Sequence, residues 1–510
     1  MGMRARRYAP GAHPEQGRAL PPSAEIRAPE SDGLATLKPL RRARRPRASP
    51  DNHEMIACRH AHRTNGPCLS HPRFQEHPMT PRHLVRAAAF AAATLLAACD
   101  PAAEKERTPP EFAVAKSELP RAIAPSVPSA DAAALTSGNQ AFALELYKSL
   151  REPGKNLLTS PHSVSVALAM VWAGARGESE SQIASALRFT LPQDRLHAAM
   201  NALDQALNSR GHGASGRDGE PFRLRVVNAA WGQSTYQFEQ PYLDTLAVNY
   251  GAGLNLLDFA GEPEASRLTI NDWVAFQTED RILDLLPDGS ITPLTRLVLT
   301  NAVYFNAAWA EPFDPANTAD APFTLLDGTR ISVPTMNASE PLRFAEGAGY
   351  KAVELPYDGG ELALVAIVPI GDFTAFEDSL DGAGLSAVFA ALAERDVELS
   401  MPRFRFEWDS SLAEALAALG MAAPFDASQA DLSGINGGRE GLYISDVIHK
   451  AFIGVDEAGT EAAAATAVIV DGRGMPTTPV SMRLDRPFVF AIRDLQTGAL
   501  VFLGRVVDPR

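Results

Sequence analysis

The chain has 510 residues, in which 47 Lys and Arg stand against 61 Asp and Glu, a net charge of −14. The first 98 residues hold 16 of the basic and 7 of the acidic residues, which leaves 31 against 54 and a net charge of −23 for the remainder. Bulk electrostatics cannot hold so acidic a chain on a polyanion, and we therefore exclude nucleic acid as a partner.

Residues 1–78 are rich in Arg, Pro and His and contain no apolar run at helix or strand spacing. This composition is typical of a disordered basic segment. We interpret it as a leader upstream of a true start at Met79, outside the working protein; the alternative is a nucleic-acid-binding arm. Cys58 and Cys68 lie here near histidines, but their spacing fits no zinc module, so we predict neither a metal site nor a cofactor.

Residues 79–98 have the pattern of a secretory signal. Arg82, His83 and Arg86 precede an apolar run of mostly small residues that ends at Ala98, before Cys99. Such a short positive region followed by a short apolar core predicts export. The apolar run is shorter than the roughly 20 residues that a membrane-spanning helix needs.

The four residues Leu96-Ala97-Ala98-Cys99 resemble the lipobox of bacterial lipoproteins. That resemblance implies that Cys99 is acylated, becomes the new N-terminus and anchors the protein by lipid in the bacterial cell envelope, on the periplasmic or surface side. The alternative is an ordinary signal peptide whose last residue is followed by a cysteine, which predicts a secreted, extracellular protein.

After the cysteine, residues 99–132 are rich in Pro and Ala, which predicts a flexible tether. Residues 133–510 have the texture of one large globular domain, without a second linker or an internal repeat. Periodicity predicts helices at 137–150, 163–175, 180–187 and 195–208, then a glycine-rich surface loop at 211–219. Strands are predicted at 222–227, 297–305, 362–369, 398–406 and 488–493. Helices and strands in this order, without strict βαβ alternation, favour an α+β fold.

Enzyme signatures are absent from the sequence. It contains no Gly-x-Ser-x-Gly elbow, His-Glu-x-x-His, Walker loop, dinucleotide fingerprint or Ser-x-x-Lys. Ser160-Pro161-His162-Ser163 brings nucleophile and base residue types together, but it opens a predicted helix, where a serine is more simply an N-cap. We therefore predict that the chain is not an enzyme.

The segment that follows Asp456 combines small residues with strand alternation. As a strand from Thr460, one face carries Thr460, Ala462 and Ala464, and the other carries Glu461, Ala463 and Ala465. This is the pattern of a half-buried strand. Alanine is nevertheless a poor strand former, so an Ala-rich surface helix or linker is the alternative. Our hypothesis is a segment that is first exposed as a loop and later buried as a strand.

The stretch Gly459–Ala464 resembles the reactive-loop hinge of inhibitory serpins, and further serpin-like motifs follow in the family's order over about residues 137–510. The resemblance implies a serpin fold with three β-sheets, a cluster of about nine helices and an exposed reactive-centre loop. The other motifs are Asn156 with Ser160-Pro161-His162-Ser163, Ile270–Val274 with Thr278, Leu299–Phe305 with Trp309 and Phe313, Ala430–Gly434, His449-Lys450-Ala451 and Arg486–Phe490.

The resemblance also implies a function and the residues that serve it. An inhibitory serpin is a monomer that a serine protease attacks as a substrate, and its loop then inserts into the main sheet and traps the covalent acyl-enzyme. The implied hinge residues are Glu457, Gly459, Thr460, Glu461, Ala462, Ala463, Ala464 and Ala465. The implied sheet-opening cluster is Ser160, Ser163, Asn301, His449, Trp309 and Phe313.

Counted from Glu457 by the spacing usual in inhibitory serpins, the scissile bond falls at Arg473–Gly474 or one position to either side. Arg473 is the only basic residue between Lys450 and Arg483, and its guanidinium suits the carboxylate in a trypsin-like specificity pocket. A bait at Met475 would instead redirect the loop to elastase- or chymotrypsin-like proteases. The remaining alternatives are a solvated loop charge at Arg473 and a non-inhibitory serpin that acts as a binding or structural protein.

Overall fold

The computed structural model describes residues 108–438, 441–460 and 478–510. Several predicted features lie outside the described residues. These are the leader 1–78, the signal peptide 79–98, the lipidation residue Cys99, the hinge residues Glu461 to Ala465, the bond Arg473–Gly474 and Met475.

Ten α-helices form in the described residues, close to the nine expected. The most deeply placed is α2, whose 12 residues are all buried because its sequence is apolar or small on every side. The helices are α1 (Ser129–Leu150), α2 (Pro161–Trp172), α3 (Gly177–Ala186), α4 (Gln193–Asn208), α5 (Gln240–Tyr250), α6 (Pro263–Gln277), α7 (Phe373–Ser379), α8 (Gly382–Ala391), α9 (Ala413–Ala418) and α10 (Ser433–Asn436).

Sixteen β-strands accompany the helices, so the α+β class predicted from the sequence is confirmed. The strands are β1 (Ala113–Ala115), β2 (Leu157–Thr159), β3 (Arg223–Gln233), β4 (Leu254–Leu257), β5 (Leu297–Ala308), β6 (Ala319–Thr324), β7 (Arg330–Gly347), β8 (Tyr350–Pro356), β9 (Leu362–Pro369), β10 (Ala393–Pro402), β11 (Phe404–Ser411), β12 (Asp446–Val455), β13 (Gly459–Thr460), β14 (Val480–Arg483), β15 (Phe488–Asp494) and β16 (Leu500–Val506).

The described strands form two hydrogen-bonded sheets rather than three. A seven-stranded sheet has the order β1-β4-β3-β5-β13-β12-β11, and a nine-stranded sheet runs β14-β10-β7-β8-β9-β15-β16-β2, with β6 paired to β7. The difference from the expected number arises at β7. This strand of 18 residues pairs with β6 and β10 along its first part and with β8 at its end, so it joins what would otherwise be separate sheets.

The predicted strand 398–406 is in fact two strands that belong to different sheets. Strand β10 ends at Pro402 and β11 begins at Phe404. Arg403 lies between them and donates its backbone N–H to the carbonyl oxygen of Pro334, at 3.0 Å. A proline has no N–H to continue a ladder, so Pro402 ends one sheet and allows the chain to turn into the other.

The centre of the seven-stranded sheet is buried on both faces. On one face α2 packs against β3 and β5. On the other, Ile270 and Val274 of α6 pack with Val298 and Ala302 of β5 and with Ile448 of β12. Because both faces are covered, β5 is an almost continuous apolar run rather than an alternating one.

The segment 108–128, which we call the N-terminal strap, belongs to the folded unit rather than to a flexible tether. Its strand β1 pairs antiparallel with β4 and becomes the edge of the seven-stranded sheet. Arg121 Nε then donates to Asn201 Oδ1 on α4 at 2.8 Å. The following helix begins at Ser129, four residues before the domain boundary predicted at 133. In the part of the chain that the structure describes, no helix combines the length and apolarity needed to cross a membrane.

Candidate functional site: the hinge and the seam below it

The candidate site lies between β5 and β12, the fourth and sixth strands of the seven-stranded sheet. We call the end of the sheet at Ala308 its upper end and the end at Leu297 its lower end. In the lower part, β5 and β12 pair directly and in parallel, over the six residue pairs from Val298–Asp446 to Val303–Ala451. We call this directly paired stretch of β5 and β12 the seam.

At the upper end, the first residues of the predicted hinge separate the same two strands. Gly459 lies opposite Ala308 of β5, and Thr460 lies opposite both Ala307 of β5 and Val455 of β12. Strand β13 is antiparallel to both neighbours and is the beginning of a strand in the middle of the sheet. The sheet is therefore open by one strand at its upper end and closed along the seam.

The glycine at position 459 is required by close contact with β5. Its φ of 153° is a conformation that residues with side chains rarely adopt. A Cβ atom there would lie 2.1 Å from the carbonyl oxygen of Ala307 and 2.8 Å from Cα of Ala308. Because both obstacles are backbone atoms, a larger residue would force β13 away from β5.

Two aromatic residues hold the hinge from the side of β5. The Trp309 ring stacks on the Tyr357 ring, with centroids 4.7 Å apart, and Trp309 Nε1 donates to the Asp456 carbonyl oxygen at 2.8 Å. The hydroxyls of Tyr357 and Thr460 lie 2.7 Å apart. The backbone N–H of Phe313 donates to the carbonyl oxygen of Glu457 at 2.9 Å. The structure thus brings the predicted Trp309 and Phe313 to the hinge, together with Tyr357, which the sequence did not single out.

Two arginines bind two acidic residues, Glu457 of the hinge and Asp456 directly before it. Glu457, 6% exposed, accepts hydrogen bonds from Arg403 Nε at 2.8 Å and from Thr318 Oγ1 at 2.5 Å. Burial alone would raise the pKa of Glu457, but the bonds from Arg403 and Thr318 hold this pKa below its usual range. Asp456 forms an ion pair with Arg217.

Arg217 lies in the loop 211–219 that we expected to be a glycine-rich surface loop. The Arg217 side chain is instead buried, and the Arg217 backbone N–H donates to Asn306 Oδ1 of β5 at 2.6 Å. The loop therefore covers the upper end of the sheet. Neither Arg217 nor Arg403 could be found from the sequence, because each meets its carboxylate across more than 50 residues of chain and no local pattern marks the contact.

Four residues of the predicted sheet-opening cluster meet at the seam. His449 and Asn301 are opposite each other in the parallel ladder and are joined by a hydrogen bond between Nδ1 and Oδ1. The backbone N–H of Ser160 donates to His449 Nε2 at 3.1 Å. Asn301 Nδ2 donates to Ser163 Oγ. Asn228 of β3 completes the cluster, since its Oδ1 accepts from both Ser163 and Asn301.

Burial keeps His449 uncharged in this cluster. Desolvation lowers its pKa from 6.5 to about 3. Its two neighbours fix the tautomer, because Nε2 must be bare to accept from Ser160, which leaves the proton on Nδ1 to be donated to Asn301. Protonation of Nε2 would remove the bond to Ser160 and would place a charge inside the closed seam.

The geometry does not support a catalytic site at residues 160–163. Within the described part of the chain, the Ser160 hydroxyl and both ring nitrogens of His162 have no hydrogen-bond partner, so they do not form a nucleophile–base pair. Ser160 does occupy the N-cap position of α2, as expected, although its side chain makes no capping hydrogen bond. In those same described residues, no group of three or more His, Cys, Asp or Glu side chains is placed to hold a metal ion.

Comparison with known proteins gives the family. A model described as "Serpin (serine protease inhibitor)" matches residues 137–509. The chain belongs to the serpin family. This serpin is 35% identical to mouse antithrombin-III over 382 residues, which cover 74% of the chain and 82% of that relative. It is also 35% identical to horse leukocyte elastase inhibitor over 389 residues, which cover 74% of the chain and 99% of that relative.

A solved structure agrees with the fold. The crystal structure of a thermophilic serpin, tengpin, in its native state superposes with a TM-score of 0.68 at 29% identity, covering 76% of the chain and 97% of tengpin. The family is described as protease inhibitors rather than catalysts. The serpin motifs identified in the sequence therefore lead to the correct family.

Proposed function

We propose that this serpin is a suicide substrate for trypsin-like serine proteases, with Arg473 as bait. One observation carries the proposal: Gly459 and Thr460 already lie as a strand between β5 and β12. The small-residue segment follows them in the sequence, and β13 itself runs from the upper end toward the seam. The alternatives are cleavage at Met475 by an elastase-like protease and a serpin whose loop never inserts.

The register predicts where an inserting loop would lie. Thr460 stands opposite Ala307 and Val455, and each further residue moves one position down both strands. Thr466 would then stand opposite Asn301 and His449. Insertion therefore has to separate Asn301 from His449 and to break the six direct pairs of the seam.

The alternation of the segment fits that register. Thr460 faces the Tyr357 hydroxyl in the buried layer, so Ala462 and Ala464 would face the same layer. Small side chains pass between existing strands without a steric barrier. The closed seam has one ladder of hydrogen bonds, between β5 and β12. An inserted strand would replace it with two ladders, one to each strand, and each additional hydrogen bond contributes about 0.5–1.5 kcal/mol net. The native form is therefore metastable, and its lifetime is kinetic.

The trapping step begins as an ordinary acyl transfer. The serine hydroxyl of the protease attacks the Arg473 carbonyl carbon, and the histidine of the protease takes its proton. The C–N bond to Gly474 breaks, and the histidine returns the proton to the amine that leaves. The product is an ester between Arg473 and the protease serine. Insertion of the loop then moves this ester away from its original site before water can hydrolyse it.

The test is to mix the protein with trypsin and to separate the products on a denaturing gel. We expect a band at the summed mass that survives detergent, together with a released C-terminal fragment that begins at Gly474. A clipped chain with free, active trypsin would contradict inhibition. A fragment that begins at Pro476 would move the bait to Met475. Arg473→Gln is the matched control, and it should lose the complex with trypsin.

We further propose that lipid on Cys99 anchors the serpin in the bacterial cell envelope. The support is the lipobox-like sequence directly before Cys99. Cys99→Ser should release the protein from the membrane fraction into the soluble fraction, as measured by immunoblotting of both. Unchanged membrane retention of that variant would argue against lipidation as the anchor, whereas a parent protein already in the soluble fraction would favour export by an ordinary signal peptide.

A further inference from the structure

The N-terminal strap joins the seven-stranded sheet at its lower end. Ala113 of β1 lies opposite Leu256 of β4, which lies opposite Gly232 of β3, which in turn lies opposite Leu297 of β5. Leu297 is the first residue of β5. Because β1 is antiparallel to β4 and β4 is parallel to β3, β1 runs upward, and residues 108–112 enter β1 from the lower end of the sheet.

Side-chain contacts hold the strap in that place. The Phe112 ring lies edge-on to the Trp231 ring, with centroids 5.0 Å apart. Ser117 Oγ donates to Asp244 Oδ1 of α5 at 2.6 Å, and Arg121 Nε donates to Asn201 Oδ1 of α4. The strap is therefore tied to the sheet at its start and to two helices further along. Phe112 therefore has a fixed position at the lower end of the sheet, and residues 108–111 precede it there.

An inserted reactive loop would emerge from the same end of the sheet; this step rests on the proposed function. In the register that starts with Thr460 opposite Ala307, residue 470 stands opposite Leu297 and hence level with Ala113. Arg473 would then lie three residues lower, about 10 Å past the sheet at 3.3 Å per residue. Four strand spacings separate the inserted strand from β1, or about 19 Å.

The size of the trapped enzyme closes the remaining gap. A protease domain of roughly 220 residues has a radius of gyration of about 17 Å, which corresponds to a sphere about 22 Å in radius. Residues 108–112, if extended, reach up to about 16 Å below Ala113. An enzyme about 44 Å across that is esterified to Arg473 is therefore large enough to reach the start of the strap.

We propose that residues 108–112 are a contact surface for the trapped protease. Thr108, Pro109 and Glu111 are exposed, and none of them is needed to build the hinge or the seam. At the same end of the sheet, Leu294 just before β5 is 70% exposed and offers a further apolar contact. Because this lower end is the end opposite to the hinge, the surface is used only after insertion and not in the first encounter.

Site-specific cross-linking tests the contact. In the full chain with Cys58, Cys68 and Cys99 replaced by serine, Thr108→Cys is labelled with a benzophenone maleimide. Ala316→Cys, an exposed position beside the hinge at the upper end, is the matched control. Each labelled protein is first converted to its complex with trypsin and then irradiated. Mild base afterwards hydrolyses the ester between Arg473 and the protease, so that only a photochemical bond still joins the two chains.

After base treatment, we expect a band at the summed mass for Thr108→Cys and none above background for Ala316→Cys. Equal cross-linking of the two, or none from Thr108→Cys, would overturn the contact while leaving the inhibitory function intact. If no complex forms before irradiation, the proposed function fails and the contact fails with it. As a second readout on the unlabelled full chain, amide exchange at 108–115 should be slower in the complex than in loop-cleaved serpin without protease; equal exchange would count against the contact.

Discussion

The upper and lower parts of the β5–β12 interface are closed by different means. At the upper end, Gly459 and Thr460 already separate the strands. The hinge there is held by aromatic residues and by two ion pairs, of which Arg403–Glu457 lies near solvent and Arg217–Asp456 has a buried arginine. Along the seam, the strands are joined directly, and a buried, uncharged cluster around Asn301 and His449 holds them together. Under the proposed mechanism, the seam has to be broken for the loop to insert, whereas the upper end is already open by one strand. The barrier to the proposed insertion would therefore lie in the seam rather than at the hinge.

The largest expected effect comes from blocking the hinge. Thr460→Glu places a carboxylate in a site that is 1% exposed and packed against Tyr357, so the loop cannot insert from its first residue. We expect this variant to be cleaved by trypsin without forming a detergent-stable complex, at least a tenfold loss of complex on a denaturing gel. Glu461→Gln, which strand alternation predicts to lie on the opposite face of the segment, is the control and should inhibit normally. Normal inhibition by Thr460→Glu would show that Thr460 does not have to stay buried.

The next effect concerns the stability of the seam. Asn301→Ala removes the partner of His449 Nδ1 and of Ser163 Oγ inside a closed interface. The free energy of unfolding should fall by about 2–3 kcal/mol, because buried polar groups lose their hydrogen bonds. Urea unfolding measures the change. Asn208→Ala on the exposed surface of α4 is the control, expected within about 0.5 kcal/mol of the parent. Equal losses of unfolding free energy in the two variants would show that the seam is not a distinct source of stability.

A third prediction concerns pH. The unfolded chain protonates His449 near pH 6.5, whereas the folded seam keeps it neutral down to about pH 3. Between these values the unfolded state binds more protons, so stability falls as pH falls, by at most about 1.4 kcal/mol per pH unit for this group. Between pH 6.5 and 4, the free energy of unfolding should therefore fall more steeply with falling pH in the parent than in His449→Gln. Urea unfolding at a series of pH values measures both. His197 and His162, whose pKa values burial also lowers, contribute equally to both proteins. An equal dependence of the free energy of unfolding on pH in the two proteins would contradict the assignment of a buried, neutral His449.

The smallest effect is expected at the exposed edge of the hinge. Arg403 is 44% exposed, so its ion pair with Glu457 is screened by solvent. Arg403→Gln should lower the free energy of unfolding by only about 0.2–1 kcal/mol, with the complex still formed in trypsin assays. A loss as large as that of Asn301→Ala would show that the upper end, too, holds the sheet closed, and the contrast between the two parts would disappear.

Much of the sheet-opening cluster could be predicted from the sequence because its members sit in separate motifs. Ser160, Ser163, Asn301 and His449 were each marked by neighbours in the chain, and the fold brings them together. Asn228 was missed, since it lies in a strand with no motif around it. Tyr357, Arg217 and Arg403 were missed for the same reason: their roles come only from contacts across the fold.

The strap was missed for a different physical reason. Its proline- and alanine-rich composition is that of a linker, and nothing in its own sequence favours a strand. It is ordered by the free edge of β4 and by partners on α4 and α5, which are 80 or more residues away in the chain. Likewise, the prediction of a single strand at 398–406 was wrong at Pro402. The apolar alternation in the sequence continues through this proline, but the hydrogen-bonded ladder of β10 ends there.

The three residues of β1 also decide what the open side of the large sheet presents to other molecules. Without them, β4 would expose unpaired N–H and C=O groups, a template on which strands of neighbouring chains add and aggregate. β1 covers that template and is itself a poor one: it is short, and the two residues before Glu111 and Phe112 are Pro109 and Pro110, which have no N–H to offer. The strap thereby protects the edge of the large sheet from pairing with strands of neighbouring chains.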